Sequence, residues 1–239
     1  MAAYGDLQSG VAGGSVTTID SANLAVTGAD LCLVVGGWEG EAASPAITLT
    51  YDPAGDNDAM TGTLGQTSVN SYMDADLGWL DNPEALTVPV RATFASAVDE
   101  AGVFGAFFTA AGDVVSTDSA IATDDTAPTT NTVTPSNVVE DDMVIDFVSG
   151  TATAARTWTA GTNQTERLDQ TDGAYSSAAV STQLGVNGGA MQQTASAGLA
   201  YGLVHFGLRI PNAVAGGASI MNQMQNGNLG SDLYNGTIL

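Results

Sequence analysis

Apolar and polar residues alternate in several short runs along the chain. In Leu86–Phe94 every second residue is apolar, and Met143–Phe147 repeats the pattern. Alternation with a period of two is typical of a strand that buries one face. Turn residues separate these runs, and few windows have a helical period. The pattern predicts an all-β fold, a two-sheet antiparallel β-sandwich similar to a jelly roll, over residues 1–210.

The apolar faces of the alternating runs predict the core of this sandwich. The last run, Ala200–Ile210, contributes to it together with the two runs above. Eight side chains are expected to be buried on inward faces: Val88, Val90, Phe94, Ile145, Phe147, Val204, Phe206 and Leu208.

Other segments give weaker indications of structure. Leu31–Val35 is continuously apolar and predicts a strand that ends at the following pair of glycines. Thr117–Asn137 is rich in Thr, Asp, Ser and Pro, which predicts a long loop or a loosely held edge segment. Arg156–Thr159 and Gln164–Leu168 predict a short strand pair joined by a tight turn.

The last 29 residues differ from the rest of the chain. Pro211 cannot continue a strand ladder, and the glycines that follow give a flexible exit. Residues 211–239 carry one acid, Asp232, and many apolar side chains. We therefore expect a C-terminal arm that mediates intersubunit contact, with a fold-back onto its own sandwich as the alternative. The expected partner-contact residues are Ile220, Met221, Met224, Leu229, Leu233, Tyr234, Ile238 and Leu239.

The charge balance excludes two classes of partner. The 239 residues include 26 acids and only 4 basic residues, all arginines, for a net charge of −22. Binding to nucleic acid or to an anionic membrane needs basic side chains in numbers, so we expect neither. The acid excess without any lysine resembles proteins of salt-loving organisms, in which surface carboxylates keep the protein hydrated. A marine source is the alternative.

Signals for catalysis and metal binding are weak. His205 is the only histidine, and its place on a regular strand predicts a surface or interfacial residue rather than a catalytic base. Cys32 lies in an apolar run, which is typical of a small buried hydrophobe. Asp52–Asp58 could form a calcium loop, but it lacks the full pattern, and a solvated hairpin is preferred. We expect no enzymatic activity, no cofactor and no metal.

The three tryptophans allow two interpretations. Trp38, Trp79 and Trp158 could stack on sugars in a carbohydrate-binding module. Trp38 and Trp79 each adjoin an apolar strand, however, and this favours core packing.

Four motifs together resemble a known domain. They are Trp38-Glu39-Gly40, Trp79–Pro83 leading into Leu86–Phe94, Val144–Asp146, and the closing strand Ala200–Ile210. This set is similar to the lectin-like β-sandwich, or jelly-roll, domain that recurs in structural proteins of tailed bacteriophages and archaeal tailed viruses. Residues 211–239 have no counterpart in it.

The resemblance implies a role on the outer surface of a virion. It indicates a capsid decoration protein, or a related head or tail accessory protein, that contacts the major capsid protein or other virion subunits and forms a homo-oligomer. The alternative that it implies is a carbohydrate- or receptor-binding module of the virion, with a host-surface glycan as ligand. A glycoside hydrolase, which would use two of the many carboxylates, is the least favoured class.

Overall fold

The structure is a computed structural model that describes residues 1–40, 45–67, 73–126, 128–154, 156–171 and 175–213. Most of these residues lie in strands; two 3-10 turns, Ser116–Asp118 and Gly185–Asn187, are the helical elements among them. The strands are β1 (Ala3–Asp20), β2 (Leu24–Ala25), β3 (Cys32–Glu39), β4 (Ile47–Tyr51), β5 (Asp58–Ala59), β6 (Gly62–Thr67), β7 (Asp74–Asp81), β8 (Thr87–Val88), β9 (Val90–Thr109), β10 (Ser119–Asp124), β11 (Thr130–Val133), β12 (Met143–Thr151), β13 (Trp158–Ala160), β14 (Thr165–Thr171), β15 (Ser176–Leu184), β16 (Met191–Ala195) and β17 (Gly202–Ile210).

The first sheet has seven strands arranged around the long strand β9. β1 follows β9 along nearly its whole length, from Ala3 opposite Thr109 to Asp20 opposite Arg91. β4 pairs with the first part of β9 and β3 with the last part, and β7 and β6 continue the sheet beyond β3. All of these pairings are antiparallel.

The second sheet has five antiparallel strands in the order β10-β17-β12-β15-β14. A three-stranded sheet, β11-β16-β13, and the two-stranded pair β2-β8 complete the described structure. The fold class predicted from the alternation, an antiparallel β-sandwich, is therefore confirmed.

The main core lies between the seven-stranded and five-stranded sheets. The Phe147 ring is at its centre, 5.1 Å from the Phe104 ring, 5.7 Å from Trp38 and 5.8 Å from Phe206. All four side chains are fully buried. Seven of the eight predicted core residues are buried, and Val88, in the short strand β8, is half-buried. Ile145, Phe147, Val204, Phe206 and Leu208 lie in this main core, whereas Val90 and Phe94 pack in a second cluster on the other face of the first sheet.

Each sheet of the sandwich is also covered on its outer face. The first sheet curls over itself: a Cβ on Gly37 in β3 would lie 2.9 Å from the Leu49 side chain and 3.1 Å from that of Ala92. The three-stranded sheet packs on the five-stranded one through clusters that include Trp158 and Met191. As a result β3, β12 and β15 are buried on both faces for nearly their whole length.

Several predicted boundaries are corrected by the pairing. The glycines after Val35 do not end β3, because the Phe104 side chain packs where a Cβ of Gly36 would be. The segment predicted as a loop or edge contains β10, at the edge of the five-stranded sheet, and β11. β13 and β14 do not pair with each other, since β13 joins β16 and β14 joins β15. The last strand ends at Ile210, as predicted.

Candidate functional site

The predicted partner-contact residues of the C-terminal arm, from Ile220 to Leu239, lie outside the described residues. The described chain leaves β17 beside the segment that follows β9. There the amide of Gly112 donates to the carbonyl of Pro211 at 2.7 Å, and the amide of Ala213 donates to that of Ala110 at 2.8 Å. These two bonds hold residues 211–213, the start of the predicted arm, against the segment that follows β9.

A buried carboxylate, that of Asp146 on β12, is the centre of a polar network between the five-stranded and three-stranded sheets. Its Oδ1 accepts the amide and the hydroxyl of Ser181, both at 2.7 Å. The Gln193 side-chain amide lies 3.1 Å from each carboxylate oxygen, and Nε2 of His205 lies 3.2 Å from Oδ2. All four residues are fully buried. Together they join β12, β15, β16 and β17.

Two further side chains, Asn131 and Gln164, extend this network to β11 of the three-stranded sheet and to the turn before β14. Nδ1 of His205 lies 3.0 Å from Oδ1 of Asn131 on β11. The Gln164 side chain donates to the Ser181 hydroxyl at 2.6 Å and accepts the amide of Gln192 at 2.7 Å. Because each bond connects a different element, the network holds the three-stranded sheet in a fixed position against the five-stranded sheet.

The network contains Ser, His and Asp but does not have the geometry of a catalytic triad. In a triad the histidine lies between the nucleophile and the carboxylate. Here the Ser181 hydroxyl donates to Asp146 directly, and no hydrogen bond joins it to His205. The prediction of a surface or interfacial histidine is wrong, because the small sheet covers this face of β17.

A second buried cluster fixes the end of β17. The Arg209 guanidinium lies between two buried carboxylates, donating through Nε to Asp142 and through Nη1 to Asp118, both at 2.6 Å. Asp142 also accepts the amides of Val139 and Asn212. Arg209 on the last strand is therefore linked to Asp118, which precedes β10, and to Asp142, which directly precedes β12.

Acids also meet on the outer face of the first sheet. Asp74 and Asp76 lie two residues apart on β7, hence on the same face, and Glu39 of β3 pairs opposite Asp74. Burial, and to a smaller extent the neighbouring charge of Asp74, raise the pKa of Asp76 to about 7. The folded protein therefore holds a proton at Asp76 over a pH range in which the unfolded chain releases it.

Asp76→Asn should change the pH dependence of stability. Because the folded-state pKa is raised, the folded chain binds the extra proton between about pH 4 and pH 7, and stability falls as pH rises through that range. The variant lacks this loss, so it should melt above the wild type at pH 8, with the difference closing towards pH 4. Melting curves of both proteins and of the exposed control Asp56→Asn measure it; an equal effect in the control contradicts the assignment.

A cavity of about 530 Å3 lies where the N-terminal residues meet β14, β15 and the turn at Gly185–Asn187. Met1–Tyr4, Met143 and Leu184 form its less polar part. Its polar lining consists of Asn163, Thr165, Arg167, Thr182, Gln183 and Asn187. The volume is within the range of small-molecule sites, about 300–1,000 Å3.

Arg167 is held in this cavity by two contacts. Its guanidinium carbon lies 3.9 Å from the centre of the Tyr4 ring, and its Nε donates to the Thr182 hydroxyl at 2.9 Å. Tyr4 is fixed in turn by an edge contact with Phe108 at 6.0 Å. Asn163, another lining residue, adopts φ 67°, which asparagine tolerates better than most residues, in a tight turn that begins at Gly161. Sequence reasoning missed this site, because no local motif links β1 to β14.

Other candidate residues from the sequence are buried in the core. Trp38, Trp79 and Trp158 are buried, so core packing of the first two is confirmed and none is presented for sugar stacking. Cys32 is buried, as predicted, and burial raises the pKa of its thiol. Within the described ranges no group of three or more His, Cys, Asp or Glu side chains could hold a metal ion. No described helix is long and apolar enough to cross a membrane.

No protein-family model and no curated protein matches the sequence. Among solved structures, the chain is similar to one titled "Red Clover Necrotic Mosaic Virus". The alignment covers 85% of this chain and 96% of that chain at 12% identity, with a TM-score of 0.23. A similarity at this level carries no argument about function, so the functional argument depends on the residues and their geometry.

Proposed function

We propose that the chain is a non-enzymatic structural protein of a virion, a capsid decoration or head or tail accessory protein of a tailed virus with a salt-adapted host. The observation that carries the proposal is that the side chains best suited to catalysis are buried and hydrogen-bonded within the sandwich. His205, the only histidine, and Asp146 are buried between the five-stranded and three-stranded sheets. Both imidazole nitrogens of His205 lie within hydrogen-bond distance of side-chain oxygens, those of Asn131 and Asp146. The resemblance of the four sequence motifs to virion domains supports the same class.

The mechanism in this proposal is adhesion through the C-terminal arm. The sandwich ends at Ile210 and the clamp around Arg209 fixes its last strand, so the arm starts from a rigid point. The arm's apolar side chains would pack on a neighbouring copy or on the major capsid protein, on the outer surface of the head or tail. The acidic sandwich would then face the solvent.

Deleting Gly216–Leu239 separates this attachment from a fold-back. We expect the truncated chain to keep the melting temperature of the full chain but to lose self-association in sedimentation velocity. A full-length variant with Met221→Gln and Met224→Gln should lose association in the same way, because it removes apolar contacts and keeps the length. A truncated chain that melts earlier and still associates would contradict attachment.

The salt-adapted host is tested by the salt dependence of stability. Four arginines cannot neutralise 26 acids, and two of them are already paired, Arg91 with Asp20 and Arg209 with Asp118 and Asp142. Self-repulsion should therefore lower the melting temperature at about 0.05 M KCl. We expect a rise that is largely complete by about 0.5 M, where the Debye length is about 4 Å. An unchanged or lower melting temperature in high salt would contradict the proposal.

A carbohydrate- or receptor-binding module is the second candidate, and the Arg167 cavity is the observation that favours it. Polar amide and hydroxyl side chains beside an aromatic ring suit a sugar. Binding of the full chain to a glycan array, without association to capsid subunits, would favour this candidate over the first.

A further inference from the structure

The Arg167 cavity contains a cation without an anionic partner. No carboxylate lies within 4.0 Å of the Arg167 guanidinium among the described residues, and none of the cavity's lining residues is acidic. Its Nε is used by Thr182, and its face lies over Tyr4. The terminal nitrogens of the fork therefore remain available for a ligand.

This differs from the two ion-paired arginines described above. Arg91 makes two hydrogen bonds to Asp20, at 2.6 and 2.8 Å, and Arg209 bonds two carboxylates. Arg167 is half-buried, and among the described residues it has no carboxylate within ion-pair distance, in a chain with 26 acids. The Tyr4 ring and the Thr182 hydroxyl offset part of the cost of burying this charge, and an anion would offset more of it.

We propose that this cavity binds a sugar that carries a carboxylate, of the uronic acid class. Arg167 would take the carboxylate through its terminal nitrogens, since the planar guanidinium fork matches that group. Asn163, Thr165 and Asn187 would bond the sugar hydroxyls, because amide and hydroxyl side chains both donate and accept. The inference does not depend on the virion role.

A carboxylate fits better than a phosphate for an electrostatic reason. The chain carries a net charge of −22, which repels an incoming anion, and a phosphate near pH 7 bears more charge than a carboxylate. One arginine offsets one negative charge. The other polar side chains of the lining are uncharged, which suits hydroxyls rather than a second anionic oxygen.

The test uses the full chain and methyl glucuronide, with methyl glucoside as the neutral comparison. Calorimetry in about 0.5 M KCl screens the net charge of the protein. Arg167→Gln removes the proposed carboxylate partner, and Arg91→Gln is the matched control that loses one arginine elsewhere. Asn187→Asp adds a charge at an exposed cavity position with little change in shape, so it tests the site without disturbing the fold.

We expect glucuronide to bind the wild type and Arg91→Gln alike, and at least about tenfold more tightly than glucoside. Arg167→Gln and Asn187→Asp should each weaken glucuronide binding by about tenfold or more. If Arg167→Gln does not fold, as its melting curve would show, Asn187→Asp decides. The proposal is overturned by absent glucuronide binding, by equal affinity for glucoside, by full binding in Asn187→Asp, or by inorganic phosphate competing as well as glucuronide. None of these outcomes bears on association through the arm.

Discussion

Asp146→Ala should lower the free energy of unfolding by about 3–5 kcal/mol. The carboxylate accepts hydrogen bonds from four side chains on four different elements, and all its contacts lie between two sheets. Removing it leaves His205, Ser181 and Gln193 buried without their acceptor, and each unsatisfied polar group costs about 1–3 kcal/mol. Urea unfolding followed by tryptophan fluorescence measures the change.

Two further variants show whether this cost belongs to the network. Asp146→Asn keeps the shape and one acceptor oxygen, so its loss should be smaller than that of Asp146→Ala. Asp141→Ala, at an exposed acid in the turn before β12, should change stability by no more than about 0.5 kcal/mol. If Asp146→Ala lowers the free energy of unfolding by less than about 1 kcal/mol, the Asp146 network does not hold the three-stranded sheet in place.

Phe147→Ala should cost about 3–5 kcal/mol, the range for removing a buried phenylalanine. Its ring touches those of Trp38, Phe104 and Phe206, which come from both sheets of the sandwich. The cavity left behind would be enclosed by rigid rings on strands that are paired on both sides, so it cannot collapse easily. Chemical denaturation of the full chain measures the loss.

The control for this variant is Val139→Ala, at a side chain that is 56% exposed. It should change stability by less than about 0.5 kcal/mol. Phe147→Leu should fall between the two, because it keeps part of the buried volume. Equal effects of Phe147→Ala and Val139→Ala would show that the two sheets do not share the core described above.

The sequence predicted the inward faces of the central strands well but not their outward faces. In β12 and β17 the apolar residues at alternate positions face the main core, as expected. The polar residues between them, Asp146 and His205, are equally buried, because β11 and β16 cover them. Alternation along a strand predicts that its two faces differ in polarity, but it does not predict which element packs on the polar face.

The N-terminal strand could not be predicted from its own residues. Ala3–Asp20 is rich in Gly, Ser and Thr, and most of its side chains are at least partly exposed. It is a strand because it pairs with β9, with register shifts at three points. Tertiary pairing here overrides weak local propensity.

The candidate site shows the same limit. Its residues come from 1–4, from Met143, from the turn and strand at 163–167, and from 182–187, and they meet only in the folded chain. The one signal in the sequence was the scarcity of basic residues, which makes each of the four arginines informative. Their ion-pair partners among the described residues follow from the fold.

The most direct test of the proposed virion role is co-sedimentation with capsid shells. The full chain would be co-expressed with the major capsid protein encoded in the same genome, and the shells purified on a density gradient in high salt. We expect the full chain to sediment with the shells in a fixed ratio and the chain lacking Gly216–Leu239 to stay at the top. A full chain that remains at the top of the gradient, apart from the shells, would contradict the account.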